Sequence, residues 1–147
     1  MARAAGLLGD EKILLILRAL FRGSHRFDDL RKSTGAATNI LSNRLARMID
    51  TGIVAKLQYC DRPARYEYRL TKAGVALFPT LMALWRFGED WMPSTEPAPW
   101  TLRHTDCGKL TRPGSACSEC DGALTPRNVS VESAIGSGKV LASDEES

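Results

Sequence analysis

The chain has 147 residues, 44% hydrophobic and 25% charged, with a net charge of +3 and four cysteines. That length holds one domain of ordinary size plus an appendage. No apolar run exceeds five residues, so neither a signal peptide nor a membrane span is expected, and the location expected is cytoplasmic. The charge is uneven: residues 1–92 hold 15 Lys and Arg against 9 Asp and Glu, residues 93–147 hold 5 against 8. Basic character therefore falls in the first part, as phosphate binding requires.

In chain order, Glu11 to Arg22 predicts a first helix. Ile13, Leu14, Ile16, Leu17, Leu20 and Phe21 recur at helical spacing, Asp10 stands as the N-cap and Gly23 as the stop. Phe27 to Lys32 predicts a short second helix with Phe27 and Leu30 turned inward. Ser33-Thr34-Gly35-Ala36-Ala37 reads as a compact turn, with Thr38 placed to cap the helix over 38–51. On that helix Leu41, Leu45, Met48 and Ile49 share one face, and Asn39, Asn43 and Arg47 form an i, i+4, i+8 row on the other. Asn pairs with adenine and Arg with guanine in the major groove, although a solvated helix face has the same look. Two short helices joined by a Gly-containing turn, the second presenting polar residues, make a helix-turn-helix.

Ile53 to Tyr59 reads as a strand, Cys60-Asp61-Arg62-Pro63 as a loop, and Arg65 to Leu70 as a returning strand with alternating Tyr66, Tyr68 and Leu70. Pro63 cannot donate to a ladder and belongs in the loop. Arg62 and Arg65 then flank the hairpin tip, within reach of phosphates or a minor groove. Cys60 reads as a bystander thiol, a redox switch being the alternative. Thr71 caps a further helix holding Leu77, Phe78, Leu81, Leu84, Trp85 and Trp91, which Pro79 should kink or divide.

The segments GDEKILLILRALFRGSHRFDDL, NILSNRLARMIDTGIV and YEYRLTKAGVALFPTLMALWRFGEDW resemble the HxlR-type bacterial transcriptional regulators over residues 9–92. The motifs that carry the likeness are Arg26-Phe27, Asn39-Ile40-Leu41-Ser42 with Arg44-Leu45, Glu67-Tyr68 before Leu70-Thr71, and Gly74. The resemblance implies a winged-helix homodimer on double-stranded DNA, with terminal helices packed together and each recognition helix in a major groove. The DNA-facing set is then Arg26, Thr38, Asn39, Ser42, Asn43, Arg44, Arg47, Arg62 and Arg65. The dimer is expected to rest on the N-terminal helix and on Leu77, Leu81, Leu84, Trp85 and Trp91. Two departures stand out. Family members usually carry a tryptophan near the start of the first helix, where this chain has Lys12-Ile13. Redox- or aldehyde-sensing members use a cysteine ahead of that helix, and here none precedes Cys60.

Pro93 to about residue 100 reads as a stiff linker, 101–133 as a small β-rich extension, and 134–147 as a polar tail too poor in apolar residues to fold. Within the extension His104-x2-Cys107-x9-Cys117-x2-Cys120 offers two close ligand pairs. Three thiolates and one imidazole suit a closed, structural zinc site with no place left for water. The alternative is a set of partly buried free thiols. Relatives share a His-x-x-Cys-Gly extension.

The expected fold is thus mainly α with a small β-hairpin, a winged helix-turn-helix over 1–92 with a short β-rich C-terminal extension. The function expected is sequence-specific DNA binding by the helix over 38–51 and the wing over 60–65. The alternative is a winged-helix protein-interaction module without DNA. An enzyme is not expected: the two histidines are far apart in sequence and there is no Gly-rich phosphate loop.

Overall fold

A computed structural model describes residues 1–92, 94–95 and 99–133. The chain divides into two compact units, Met1–Ala76 and Leu77–Ser147. The expected linker lies partly, and the expected tail wholly, outside the described residues.

The first unit starts with a helix that no periodicity announced, α1 (Ala2–Leu8), which buries none of its residues. Asp10 then caps α2 (Glu11–Phe21): its Oδ1 accepts from the Lys12 N–H at 2.9 Å and the Ile13 N–H at 3.3 Å. Two N–H groups without partners inside the helix are thereby satisfied. The next helix, α3 (Phe27–Thr34), runs two residues past Lys32, with Leu30 fully buried and Phe27 half-buried. It stops at Gly35, whose φ of +61° lies in the left-handed region that side chains disfavour. The buried Thr34 hydroxyl donates to the Leu30 carbonyl at 2.7 Å and accepts from the Ala36 N–H at 3.3 Å. These bonds shape the turn into α4 (Thr38–Asp50). Ala37 is therefore the N-cap residue and Thr38 the first residue inside the helix, which corrects the expected cap. Two signals pointed to Thr38, its residue type and its place before an apolar row. The turn geometry fixed by Thr34 and Gly35 overrides both.

Ile13, Ile16 and Leu17 of α2, Leu30 of α3 and Leu41, Leu45 and Met48 of α4 are all essentially shut off from water. Burying one such side chain contributes about 1.5–3 kcal/mol, so this set dominates the first unit's stability. The wing closes the core from one side. Strands β1 (Val54–Asp61) and β2 (Ala64–Leu70) pair antiparallel, Val54 opposite Leu70 and Lys56 opposite Tyr68. The register shifts between Gln58 and Cys60, after which Cys60 faces Arg65 and Asp61 faces Ala64. Cys60 and Asp61 are thus strand residues rather than loop residues, and the turn is Arg62-Pro63 alone. An extra residue taken up as a bulge keeps the ladder going where strict alternation would have ended it.

Thr71 links wing and helix. Its hydroxyl donates to the Gly52 carbonyl at 2.6 Å and accepts from the Gly74 N–H at 3.2 Å, capping α5 (Lys72–Val75). Gly74 lies so close to the entry of β1 and the end of β2 that an added Cβ would stand 2.2 Å from the Ile53 carbonyl oxygen and 2.9 Å from Leu70 Cδ2.

In the second unit α6 (Phe78–Trp91) begins with Pro79 in its first turn, where a missing N–H does no harm. Pro79 thus marks a division, α5 and α6 being separate helices, as anticipated. The extension is a three-stranded antiparallel sheet in the order β4-β3-β5, made of β3 (Trp100–His104), β4 (Lys109–Thr111) and β5 (Val129–Ser133). The fold class read from the sequence, winged helix-turn-helix with a β-rich extension, is therefore the one observed. Among the described residues no helix is long and apolar enough to cross a membrane.

Gly74→Ala should destabilise the first unit by about 2 kcal/mol or more, because backbone rather than a flexible side chain blocks the new methyl. Urea unfolding followed by circular dichroism measures this. A loss below roughly 0.5 kcal/mol would mean that the helix shifts at little cost.

Candidate nucleic-acid interface and metal centre

Because Leu41, Leu45 and Met48 face inward, the opposite side of α4 is fixed in space. Thr38, Asn39, Ser42, Asn43 and Arg47 are all exposed there. Arg44 differs from its neighbours. It is half-buried, and its Nε lies 2.6 Å from Asp10 Oδ2. One carboxylate thereby caps α2 and anchors α4. Burial raises the Asp10 carboxyl, but the N–H groups of Ile13 and Lys12 and the Arg44 guanidinium outweigh it and hold the group below its ordinary 3.8. Arg47 is exposed, yet its Nη2 donates to the Gly6 carbonyl near the end of α1. No sequence signal connected α1 to the outward row. The only cue available was that a helix C-terminus offers carbonyls without partners to a nearby guanidinium.

On the wing, Arg62 and Arg65 are exposed at the tip. Arg26 Cζ sits 5.1 Å from the centre of the Tyr59 ring, and Arg26 forms a single antiparallel bridge with Glu67. Lys56, which the sequence reading passed over, has its Nζ 4.2 Å from the Tyr66 ring centre. Two cations are therefore carried on tyrosine faces at the hairpin, an arrangement that holds charge near the surface. His25 has a structural role: its carbonyl accepts from the Tyr68 N–H at 2.8 Å, and its Nδ1 lies 3.2 Å from the Tyr68 carbonyl oxygen. Cys60 is half-exposed, with Sγ 3.7 Å from the Arg62 carbonyl oxygen.

The extension brings His104, Cys107, Cys117 and Cys120 together, their ligand atoms all within 4.8 Å of one another. Two turns do this. His104 ends β3, and Cys107 lies in the turn to β4, where the Gly108 N–H donates to the His104 carbonyl at 2.8 Å. The second turn is closed by the Ala116–Ala123 bridge, with the Cys117 N–H donating to the Gly122 carbonyl at 2.8 Å. Cys107 Sγ and Cys117 Sγ are 3.8 Å apart, and Cys120 Sγ is 3.3 Å from His104 Nδ1. A disulfide needs about 2.05 Å, so all four cysteines, Cys60 included, are free thiols. A tetrahedral ion with sulfur bonds of about 2.3 Å sets its sulfurs about 3.8 Å apart, so the spacing fits a metal.

Charge in the centre is already prepared. Burial raises the Cys117 thiol, but the Glu119 N–H, the Thr111 hydroxyl and the Cys120 backbone and side chain bring it down to about 6. The Gly122 N–H lowers Cys120, whereas partial burial and the Cys107 and Cys117 thiols outweigh it and push Cys120 up.

Residues 7–96 match the family model described as HxlR-like helix-turn-helix. An uncharacterized HTH-type transcriptional regulator of Mycobacterium tuberculosis is 38% identical over 143 residues, covering 97% of this chain and 90% of that protein. That likeness runs through the Cys/His extension, which the family model does not reach. The uncharacterized HTH-type regulator YtfH of Escherichia coli is 32% identical over 91 residues, 61% of this chain and 69% of its own. Among solved structures, PA1607, described as a candidate transcription factor, matches with a TM-score of 0.70 at 32% identity, covering 84% of this chain and 87% of its own. The reduced form of the Bacillus subtilis transcriptional regulator YodB matches with a TM-score of 0.55 at 26% identity, covering 64% and 95%.

The Asp10–Arg44 pair makes a prediction separable from any ligand. Arg44→Ala should lower stability by roughly 0.5–1 kcal/mol, and Asn43→Ala should change it by less than about 0.5 kcal/mol. Asp10→Ala should cost about 1 kcal/mol at neutral pH. Because the folded carboxyl titrates below its ordinary 3.8, this contribution is complete above that value and lost as pH falls through the lowered one. Urea titrations of the two single variants and the double variant, at pH 7 and pH 3, measure these terms. Additive losses at pH 7 would show that the pair is not coupled.

Proposed function

Because the chain belongs to the HxlR-like helix-turn-helix family of transcriptional regulators, we propose that it binds duplex DNA sequence-specifically as a homodimer. Residues 38–51 enter the major groove and the wing over 60–65 lies on the backbone or minor groove. The observation that carries this reading is the outward row of α4, where Asn39 and Asn43 stand exposed on a helix whose other side is fully buried. Amides at that spacing match purine edges, and Ser42 and Thr38 stand beside them for bases or phosphates. Arg47 extends the row once it exchanges the Gly6 carbonyl for a base or phosphate. Arg62 and Arg65, with Arg26 behind them, supply the phosphate contacts. Arg44 serves chiefly to hold α4 at its angle, with its remaining N–H groups turned to the backbone of the DNA. The protein acts by binding rather than catalysis, and a DNA target implies a cytoplasmic location.

The homodimer is supported by α6. Leu84, Phe87 and Trp91 are 47%, 56% and 74% exposed, while Leu77, Leu81 and Trp85 are half-buried. Large apolar groups gathered on one helix call for a covering surface, and a second copy of α6 offers a matching one. We further propose that His104, Cys107, Cys117 and Cys120 hold a structural zinc ion. The extension has few large buried side chains, Leu102 and Leu124 among them, and gains order from metal bonds.

The test uses DNA from immediately upstream of the gene, searched for an inverted repeat, with affinity read by fluorescence anisotropy at several salt concentrations. Asn39→Ala and Asn43→Ala should weaken operator binding by about 1–3 kcal/mol and random DNA by less. Arg62→Ala and Arg65→Ala should weaken both alike and flatten the salt dependence. If all four variants weaken every sequence equally, α4 is not reading bases. A wild-type protein that ignores both DNA and salt would favour an interaction module instead.

A further inference from the structure

His104 is the one ligand in the cluster with two donor atoms to offer, and its surroundings distinguish them. Nδ1 turns toward the thiols, 3.3 Å from Cys120 Sγ. Nε2 is shut off from solvent and makes no well-aligned hydrogen bond. It faces Asp106 Oδ2 at 3.3 Å. Asp106 is itself held in place, since the same Oδ2 accepts from Asn128 Nδ2 at 2.9 Å. Asn128 is fixed in turn: its Nδ2 donates to the Ala123 carbonyl at 3.0 Å, and its Oδ1 accepts from the Thr125 N–H at 2.8 Å. Its carbonyl also accepts from the Thr105 N–H at 2.9 Å. One asparagine thus joins the turn that carries Cys107 to the segment that follows Cys120.

Building on the zinc reading above, we propose that His104 binds zinc through Nδ1 and that Asp106 is the positioning residue that accepts the Nε2 proton. A neutral imidazole that gives Nδ1 to a metal carries its hydrogen on Nε2. A buried N–H of this kind needs an acceptor, and Asp106 supplies a carboxylate on that side of the ring. Contact with a carboxylate fixes the ring's orientation and makes its other nitrogen a better ligand.

Gly122 completes the arrangement. A Cβ at this position would lie 3.0 Å from His104 Cε1 and 3.3 Å from Cys120 Sγ, tighter than ordinary contact, so a side chain there would press on both the ring and the sulfur. Neither Asp106 nor Gly122 is a ligand, and the spacing of the four ligands alone does not identify them.

The test uses the full chain, prepared without a metal-affinity tag, with zinc itself as probe. Long-range proton–nitrogen NMR correlations on 15N-histidine protein should show Nδ1 metal-bound and Nε2 protonated. Competition against a chromophoric chelator should show Asp106→Ala weakening zinc roughly tenfold, the low end of such outer contacts because Asp106 is 66% exposed. Asp106→Asn should fall between, and Glu119→Ala, which removes a carboxylate next to Cys120, should leave affinity unchanged. Cobalt-substituted Asp106→Ala should keep the visible bands of a tetrahedral thiolate site, since all four ligands remain. Binding through Nε2, unchanged affinity in Asp106→Ala, or an equal loss in Glu119→Ala would each overturn the positioning role. Much less than one zinc per wild-type chain, with no cobalt–thiolate bands, would instead overturn the zinc reading on which it rests. The NMR readout needs no variant, so a poorly folding Asp106→Ala cannot obscure the answer.

Discussion

Burial of one face of α4 is the constraint on which the rest depends. Leu41, Leu45 and Met48 are 0–1% exposed, so the helix cannot rotate about its axis without bringing apolar surface into water. The outward residues owe their position to that immobility. Asn39 and Asn43 face out because their neighbours are committed to the core. The Asp10 carboxylate adds a polar restraint to the apolar one, since it caps α2 and grips Arg44 at 2.6 Å. Rigid presentation matters for reading bases, because an amide pair recognises a purine only when both bonds can form together.

The extension solves a different problem. A segment of some thirty residues has too small an interior to stabilise itself through apolar burial alone. It relies instead on two tight turns, each pinned by a short stretch of strand pairing, that gather three thiols and an imidazole. The Arg103 guanidinium clasps Glu132 at 2.6 and 3.0 Å and so ties β3 to β5. Such a design places stability in turn geometry and polar contacts, in keeping with residues there that are small and turn-prone rather than apolar.

Much of this was legible in the sequence where one signal dominated. Helical spacing located α2 and α4, the Asp10 cap placed the start of α2 within the residue, and paired two-residue spacings singled out the four ligand candidates. The misreadings have two causes, local turn and strand geometry that residue type does not reveal and contacts between segments distant in sequence. The hydroxyl of Thr34, not that of Thr38, shapes the entry to α4, because Thr34 folds back onto Leu30. The bulge before Cys60 carried β1 to Asp61 against the turn chemistry of its residues. The Asp10–Arg44 contact joins residues that no spacing links, and α1 had no apolar row to announce it. Asp106 and Asn128 lie 22 residues apart, and only the fold brings them together.

If the exposed row of α4 reads base edges in a major groove, as proposed, the acceptors on those edges are what it needs. The most direct measurement replaces single purines of the inverted repeat by 7-deaza analogues, which remove only the N7 acceptor from the major groove. Loss of roughly tenfold or more in affinity at two or three purines per half-site, with the loss at one of them abolished in the Asn43→Ala variant, is the result predicted. Affinity that ignores every 7-deaza substitution, yet responds to changes confined to the minor groove, would contradict it.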